Sequence, residues 1–288
     1  MPGSGPGMEG RRLEMGPYVV TVATGFGPRI VELGLDASPP LFARLSDDVV
    51  LEHPDSGVYR FRGGHRLWAA PEIPAISYAP DDHPCRLDTE AGTATLTGPV
   101  DHAGLIKTME IRATDEGLVV DHTLSAPEGQ RLEVAAWAIT QLRLGGVALL
   151  PVNSHPPGGP RASASIVLWP YTDLTDSRLG WGTRGVTVRA EPGPPLKIGV
   201  GPSPGRIGYL IDDHLFIKEI PRESGRTRPD RGAVAEVYVN EDFIELESLG
   251  PLVTVGGAEA ASHREVWTVR PCDGTGQAWQ WLWGDAGG

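Results

Sequence analysis

The chain has 288 residues; 40% of them are hydrophobic, 38 are glycine and 27 are proline, and the formal net charge at pH 7 is −12. This length allows one large domain or two ordinary ones, and the glycine and proline content favours many turns over long helices. No run of lysine and arginine is long enough to follow a phosphate backbone, and no apolar run approaches the roughly 20 residues that span a bilayer. We therefore expect neither nucleic acid nor a membrane as a partner.

The N-terminus and the cysteines indicate a compartment. Residues 1–12 are rich in glycine and proline, so they are predicted to be a disordered tail, and they contain no apolar segment of the kind that a secretory signal needs. Cys85 and Cys272 lie far apart without zinc-like spacing, which favours two free thiols in a reducing compartment over a disulfide. We expect a cytoplasmic protein with a single domain over residues 13–283, because no linker divides the chain.

Short strand-like runs recur in chain order from residue 18 onward, and none holds a helical apolar period for three turns. The run RLEVAAWAITQL is the best helix candidate but fits a buried strand equally well, and QAWQWLWG near the end is predicted to be a strand or an adhesive tail. Many strands joined by short turns predict an all-β sandwich or barrel with mostly antiparallel pairing. Three hairpins are predicted: IKTMEIRA and LVVDHTLSA around TDEG, IGYLI and LFIKEI around DDH, and AVAEVYV and FIELESL around NED.

The run FRGGHRLWAAPE, residues 61–72, carries large polar side chains on a strand-like pattern. Alternate residues of a strand share a face, so His65 lies on one face and Arg66 and Trp68 lie on the other. These side chains line one pocket only if a glycine bulge redirects His65. Otherwise the site uses Arg66 and Trp68, with Glu72 arriving after the proline.

The run FIELESLGP places Glu245 and Glu247 on one face of a strand, about 7 Å apart from two rises of roughly 3.3 Å. Two carboxylates this close perturb each other, which is one route to a raised pKa and to general base catalysis. The alternative is an ordinary solvated strand face. Three residues of other strands are candidates to join the pair: Glu236, and the possible cationic partners Lys197 and Lys218.

The run SIVLWPYTDLTD places Trp169, Tyr171 and Asp173 close together. Sugars stack their C–H faces on aromatic rings while carboxylates and amides hold their hydroxyls, so this segment is a candidate aromatic floor with a polar rim. The alternative is a core tryptophan at a strand end. The 8 tryptophans, against 5 phenylalanines and 6 tyrosines, favour carbohydrate binding. No metal-ligand spacing, phosphate loop, G-x-S-x-G or H-E-x-x-H motif occurs, so no metal or nucleotide cofactor is predicted.

Taken together in order and spacing, FRGGHRLWAAPE, WPYTDL, LKIG, LFIK and AEVYVNEDFIELESLGPL…SHREVW resemble an uncharacterised bacterial family, domain of unknown function 4380 (DUF4380), of the galactose mutarotase-like superfamily. The resemblance covers residues 15–270. It implies a β-supersandwich fold, which is shared by the aldose 1-epimerases. In those enzymes a glutamate removes the proton of the anomeric hydroxyl, and a histidine protonates the ring oxygen so that the sugar ring opens.

By this resemblance Glu247 takes the place of the catalytic glutamate, but Trp137 stands where the mid-chain histidine is expected. His65 is then the candidate acid, with Lys218 as another cationic candidate, and Arg66 is a candidate for binding an anionic group of the ligand. The residues predicted to bind the substrate are Arg66, Trp68, Glu72, Trp137, Trp169, Tyr171, Asp173, Lys218, Glu236 and Glu245.

Three functions stay open at this point. The first is a carbohydrate epimerase that opens a sugar ring by general acid–base catalysis, with Glu247 as base and His65 as acid. The second is a binding protein that holds a sugar or sugar derivative without chemistry, which the tryptophan at position 137 favours. The third is a lyase or other tailoring enzyme that reuses the same cleft for a substrate other than a sugar.

Overall fold

The computed structural model describes residues 10–35, 40–152, 164–201, 205–221 and 225–284. Its regular elements are, in chain order, β1 (Gly10–Met15), β2 (Tyr18–Ala23), β3 (Arg29–Leu35), β4 (Val50–His53), β5 (Gly57–Arg60), β6 (Gly64–Ala70), α1 (Pro74–Ser77), β7 (Arg86–Glu90), β8 (Thr93–Thr97), β9 (Ile106–Thr114), β10 (Gly117–Ser125), β11 (Leu132–Leu142), β12 (Val147–Pro151), β13 (Ser165–Leu168), β14 (Leu179–Trp181), β15 (Gly185–Arg189), β16 (Leu196–Gly201), β17 (Arg206–Ile211), β18 (His214–Glu219), β19 (Ala235–Val239), β20 (Ile244–Leu249), β21 (Val253–Val255), β22 (Ala261–Pro271) and α2 (Gly274–Trp283).

Two ten-stranded sheets form the body of the described chain. Sheet A has the order β1-β2-β3-β6-β11-β20-β19-β16-β13, with β21 paired to β11, and sheet B has the order β14-β15-β12-β17-β18-β22-β10-β9-β8-β7. Paired strands are antiparallel, and β4 and β5 form a separate two-stranded hairpin. This architecture confirms the predicted all-β sandwich.

The main hydrophobic core lies between the two sheets and includes Trp267, Phe216 and Tyr209. At the centre of sheet A, however, β6 and β20 are buried at every residue. The outer face of these strands carries a second apolar cluster, which includes Trp68 and Trp137 and packs against Tyr59 of the β4–β5 hairpin. The centre of sheet A is therefore covered on both faces, and polar residues on either face are shielded from water.

The three predicted hairpins are present as β9–β10, β17–β18 and β19–β20, and RLEVAAWAITQL is a strand, β11. The prediction of a strand or tail for QAWQWLWG was wrong, because this segment belongs to helix α2. Ala278 and Leu282, one helical turn apart, pack against Leu149 and Leu215 of sheet B, and this tertiary contact fixes the helix. At the other end, β1 begins at Gly10, inside the segment predicted as a tail; residues 1–9 lie outside the described part.

Cys85 and Cys272 are free thiols, as expected. No helix within the described ranges is both long and apolar enough to cross a membrane.

Candidate functional site

The register at the centre of sheet A brings distant residues onto one face. Glu247 on β20 is paired with Ile139 on β11 and with Glu236 on β19, and Ile139 is paired in turn with Arg66 on β6. Paired residues of neighbouring strands point to the same side, so the polar side chains gather on the face turned away from the main core. We call this group the outer cluster; its members are Arg66, Gln141, Lys197, Glu236, Glu245 and Glu247.

Glu247 is the centre of the outer cluster and is 0% exposed. Its Oε2 accepts hydrogen bonds from Nζ of Lys197 at 2.8 Å and from Nε1 of Trp137 at 2.7 Å. Nζ of Lys197 also lies 2.8 Å from Oε2 of Glu236, so one ammonium joins the two carboxyl groups. The Oε1 atom of Glu247 is buried and has no hydrogen-bond partner within the described residues. One oxygen is thus fixed, and the other is left with its lone pairs unused.

Burial sets the protonation of this group. It raises the pKa of Glu236 well above its ordinary value; the Lys197 charge opposes the rise and the Glu247 charge adds to it. For Lys197, burial works to lower the pKa, but the charges of Glu236 and Glu247 outweigh it and hold the pKa well above the usual range. Lys197 is therefore a permanent ammonium, and Glu236 is a carboxyl group that holds its proton more readily than an ordinary glutamate.

Aromatic rings surround the ammonium and form the rim of the site. Nζ of Lys197 lies 4.5 Å from the ring centroid of Trp137 and 4.7 Å from that of Trp169, within cation–π range. Trp169 is half-buried, and Tyr171, two residues further on, is 48% exposed. Burial raises the pKa of the Tyr171 phenol; Lys197 opposes the rise and Glu247 adds to it, which places the ring within electrostatic reach of both. The exposed edge of the site is thus aromatic.

Arg66 is enclosed on the same face beside this group. Its Nη2 donates to Oε1 of Glu245 at 2.8 Å. Its guanidinium carbon lies 4.3 Å from the centroid of Trp68, 5.4 Å from that of Phe61 and 6.0 Å from that of Tyr59. The guanidinium is thus held by one carboxylate and three rings, an arrangement that the planar group of arginine fits well.

His65 and Lys218 do not belong to this site. β6 stays in register with β11 from Gly64 to Ala70, so no bulge redirects His65, which points into the main core and is fully buried. The two glycines before it serve strand packing, because a Cβ at Gly63 or Gly64 would overlap a carbonyl oxygen of a neighbouring segment. Lys218 lies in the core as well, 2.7 Å from Glu265. The predicted acid is therefore separated from Glu247 by the thickness of the sheet.

His65 is part of a second polar group, which lies in the main core and which we call the core cluster; its members are His65, His122, Thr140, Lys218, Ser248, His263 and Glu265. Its hydrogen bonds fix the tautomers of His65 and His122. Nδ1 of His122 faces the carbonyl oxygen of His263 at 3.0 Å, so it carries the proton. Nε2 of His122 is then an acceptor, and Nε2 of His65 must donate to it across 2.7 Å. Nδ1 of His65 in turn accepts from the hydroxyl of Thr140 at 2.8 Å. Both ring nitrogens of His65 and both of His122 thus have a hydrogen-bond partner.

Glu265 is the second hub of the core cluster. It accepts hydrogen bonds from Ser248 and from Nε1 of Trp267, at 2.8 Å for the indole, in addition to its ion pair with Lys218. In the described chain, His65, His122 and Glu265 are the one trio of potential metal-ligand atoms within 4.8 Å of one another. All three are engaged in the hydrogen bonds above, so this trio is a satisfied structural group and we assign no metal to it.

The remaining predicted residues lie at the rim. Glu72 is exposed and accepts a hydrogen bond from the hydroxyl of Tyr78 at 2.5 Å. Asp173 uses its Oδ1 to accept from the backbone N and the hydroxyl of Thr175, so it stabilises its own turn. Asp230 was not predicted: burial raises its pKa, Lys197 opposes the rise, and Glu247 and Glu72 add to it. Tyr78 and Asp230 both lie in connections between strands, where no sequence pattern links them to the site.

Two comparisons by sequence gave no match: no family model and no curated protein matches the chain. Membership of the DUF4380 family is therefore not confirmed.

The fold, in contrast, matches solved structures over most of its length. A protein of Escherichia coli K12 that carries the provisional name aldose 1-epimerase is 13% identical, with a TM-score of 0.57 over 92% of this chain and 100% of that one. The Slr1438 protein of Synechocystis sp. PCC 6803 is 12% identical, with a TM-score of 0.56 over 91% of this chain and 96% of that one. A galactose mutarotase related enzyme of Lactobacillus acidophilus is 7% identical, with a TM-score of 0.51 over 92% and 98%. At these identities the likeness shows the fold alone: the chain has the galactose mutarotase-like β-sandwich fold, which its sequence motifs predict.

Proposed function

We propose that the outer cluster and its aromatic rim form a carbohydrate site, and that Glu247 acts there as the general base toward a bound sugar. The observation that carries this proposal is the Oε1 atom of Glu247, which is buried and has no partner within the described residues. Leaving a charged acceptor unsatisfied in a buried place costs free energy, so such an atom in a folded protein calls for an explanation. A ligand that donates a hydroxyl to it supplies one.

The geometry suits proton transfer from a sugar. Lys197 and Trp137 hold Oε2, so the carboxylate cannot turn away, and Oε1 is left for the ligand. In ring opening, Oε1 takes the proton of the anomeric hydroxyl, the electron pair of that O–H bond forms the C1 carbonyl, the bond between C1 and the ring oxygen breaks, and the ring oxygen takes a proton from an acid. Reclosure on the other face of the carbonyl gives the other anomer. The Lys197 ammonium compensates the charge that moves between the groups.

The acid of this proposal is Glu236 in place of His65. Its carboxyl group lies on the neighbouring strand, opposite Glu247, and shares the Lys197 ammonium. Because burial raises its pKa well above the ordinary value, Glu236 holds a proton that it can deliver. A site that keeps one carboxyl group protonated beside an ionised one has both an acid and a base.

Binding without chemistry is the second candidate, and one observation favours it. Trp137 occupies the position where the resemblance leads us to expect the catalytic histidine, and an indole N–H donates a hydrogen bond but does not exchange protons in the physiological range. In this case the indole and the ammonium fix Glu247 as a hydrogen-bond acceptor only.

Anomer exchange of α-glucose, α-galactose and a wider panel of aldoses, followed by NMR, tests the proposal. We expect acceleration over buffer for at least one sugar, and a loss of about 10²- to 10⁴-fold of that acceleration in Glu247→Gln, which keeps the shape but not the base. Saturation-transfer NMR on the same samples reports binding. Binding without acceleration by the wild type supports the second candidate, and neither binding nor acceleration across the panel overturns both.

A further inference from the structure

A cleft lies beside helix α2 on the outer face of sheet B, the face turned away from the main core. Ile217 on β18 belongs to the apolar cluster under α2 and is paired with Thr268 on β22, so residues 266, 268 and 270 point to this face as well. The cleft encloses about 360 Å³, which is within the size range of small-molecule sites. We call it the helix cleft; its lining includes Arg206, Ile217, Glu219, Val266, Arg270 and Trp281.

Two side chains of the helix cleft carry unused hydrogen-bond donors. The guanidinium carbon of Arg270 lies 4.2 Å from the ring centroid of Trp281, within cation–π range. Nε of Arg270 and Nε1 of Trp281 are buried and have no hydrogen-bond partner within the described residues. Buried donors without a partner cost free energy, so each calls for an explanation. Because both side chains line the same cleft, one bound group can serve as the acceptor for both.

The acidic residues of the helix cleft do not neutralise Arg270. Glu219 is bound at 2.8 Å by Nε of Arg206, whose Nη1 also donates to the carbonyl oxygen of Trp281 at 3.3 Å. Glu116 is exposed in the turn between β9 and β10, and no carboxylate of the described residues lies within ion-pair distance of Arg270. Arg206 and Glu219 therefore compensate each other, and the charge of Arg270 is left for a ligand.

The unused groups of the helix cleft favour an acceptor that carries negative charge. Arginine and tryptophan side chains contain donors and no acceptor, whereas the outer cluster leaves atoms of both kinds without a partner. A neutral carbonyl also accepts hydrogen bonds, but a charged acceptor bonds to a guanidinium roughly twice as strongly and compensates its charge. An oxyanion is therefore the expected partner of Arg270.

The apolar part of the helix cleft indicates the body of the ligand. Ile217 is buried, Val266 is half-buried, and the indole of Trp281 forms a further wall. A hydrocarbon or aromatic group covers such a surface, and inorganic phosphate does not.

From these two features we infer that the helix cleft binds a small organic carboxylate, with the acid group on Arg270 and Trp281 and the apolar body on Ile217 and Val266. The inference is independent of the carbohydrate function, because the helix cleft lies on sheet B and the outer cluster lies on sheet A.

Isothermal titration and saturation-transfer NMR with simple acids test this inference. The probes are benzoate and cyclohexanecarboxylate, benzamide as a neutral counterpart, and phenyl phosphate and inorganic phosphate as other oxyanions. We expect benzoate or cyclohexanecarboxylate to bind on the order of tenfold more tightly than benzamide, because hydrogen bonds between charged groups are the stronger ones. Inorganic phosphate should bind more weakly than either carboxylate, because it has no apolar part to cover the floor of the cleft.

Matched variants locate the donors that are responsible. Arg270→Gln removes the charge and should weaken carboxylate binding about tenfold or more, while Arg270→Lys keeps the charge and should recover part of the affinity. Trp281→Phe keeps an aromatic ring but removes the indole N–H, so binding should weaken a few-fold. Arg12→Gln removes one arginine from an exposed position on β1 of sheet A and should bind as the wild type does. Urea midpoints of the same samples show whether each variant is folded.

Four results would overturn the inference: equal binding of benzoate and benzamide, no binding of either carboxylate by the wild type, unchanged binding by Arg270→Gln, or equally weak binding by Arg12→Gln and Arg270→Gln. Tighter binding of phenyl phosphate than of benzoate would overturn the carboxylate class and favour a phosphate ester in its place. Each of these results leaves the carbohydrate function standing, because sugar binding and anomer exchange are measured separately.

Discussion

The same strands of sheet A carry a polar cluster on each face, and the two clusters differ in how well they are satisfied. In the core cluster, His65, His122, Ser248, Glu265 and Lys218 form hydrogen bonds and an ion pair with one another. In the outer cluster, Oε1 of Glu247, both amide atoms of Gln141 and two guanidinium nitrogens of Arg66 have no hydrogen-bond partner within the described residues.

This difference separates a structural role from a functional one. A buried polar group that the protein satisfies completely stabilises one arrangement of the two sheets. A buried group left unsatisfied costs about 1–3 kcal/mol, and a protein that keeps several of them in one place keeps them for something outside the chain. We therefore expect substitutions in the core cluster to act on stability and substitutions in the outer cluster to act on ligands.

Removal of the Lys218 ammonium in the core cluster should have the largest effect on the free energy of unfolding. Lys218→Met leaves the carboxylate of Glu265 buried without its cation, and we expect a loss of about 3–5 kcal/mol in the free energy of unfolding, measured with urea. The double variant Lys218→Met with Glu265→Gln removes both charges and should recover most of the loss. If the single and double variants are equally unstable, the ion pair is not the cause.

Lowering the pH should change the contributions of the two clusters to the free energy of unfolding in opposite directions. Burial lowers the pKa of His65, His122 and His263, to about 3 for His263, so the folded protein keeps them neutral while the unfolded chain takes up protons below about pH 6.5. Stability is therefore full above this pH and falls as the pH drops, by about 2 kcal/mol between pH 7.5 and 6.0 for three such groups.

The raised pKa of Glu236 has the opposite effect, because the folded protein takes up this proton at a higher pH than the unfolded chain does. The resulting gain in the free energy of unfolding at lower pH partly offsets the loss from the histidines. Urea unfolding over the same pH range should thus show a steeper decline for Glu236→Gln than for the wild type. A stability that does not change with pH in either protein would contradict this account of the histidines.

The smallest effect is expected at the rim. Asp173 accepts its hydrogen bonds from Thr175 in an exposed turn, and an asparagine there keeps one acceptor. Asp173→Asn should leave the urea midpoint close to that of the wild type and anomer exchange within about twofold of it. A loss of exchange as large as that of Glu247→Gln would return Asp173 to the site.

Local patterns were enough to predict the strands of the three hairpins and, for a regular β6, the separation of Arg66 and Trp68 from His65. They were not enough to tell whether His65, or Arg66 together with Trp68, faces the main core. β6 is buried on both faces, so hydrophobic alternation gives no sign of direction there.

The partners of the two lysines could not be predicted for a related reason. Lys197 meets Glu247 because β16 and β20 both flank β19, and Lys218 meets Glu265 because β18 and β22 are neighbours in the other sheet. Both facts depend on strand order over long sequence separations, which periodicity does not report. Helix α2 escaped prediction because its packing on sheet B, and not an amphipathic pattern, fixes it.

Glu247 and Ser248 are neighbours in sequence and point to opposite faces, so they offer the most direct test of the central claim. The measurement is the rate of sugar anomer exchange per folded molecule for Glu247→Gln and Ser248→Ala, with the urea midpoint recorded on the same samples. We predict that Glu247→Gln loses the acceleration in the molecules that remain folded, while Ser248→Ala keeps the acceleration and unfolds at lower urea. Equal effects of the two substitutions on exchange, or no acceleration by the wild type, would contradict the assignment of the outer cluster as the functional face.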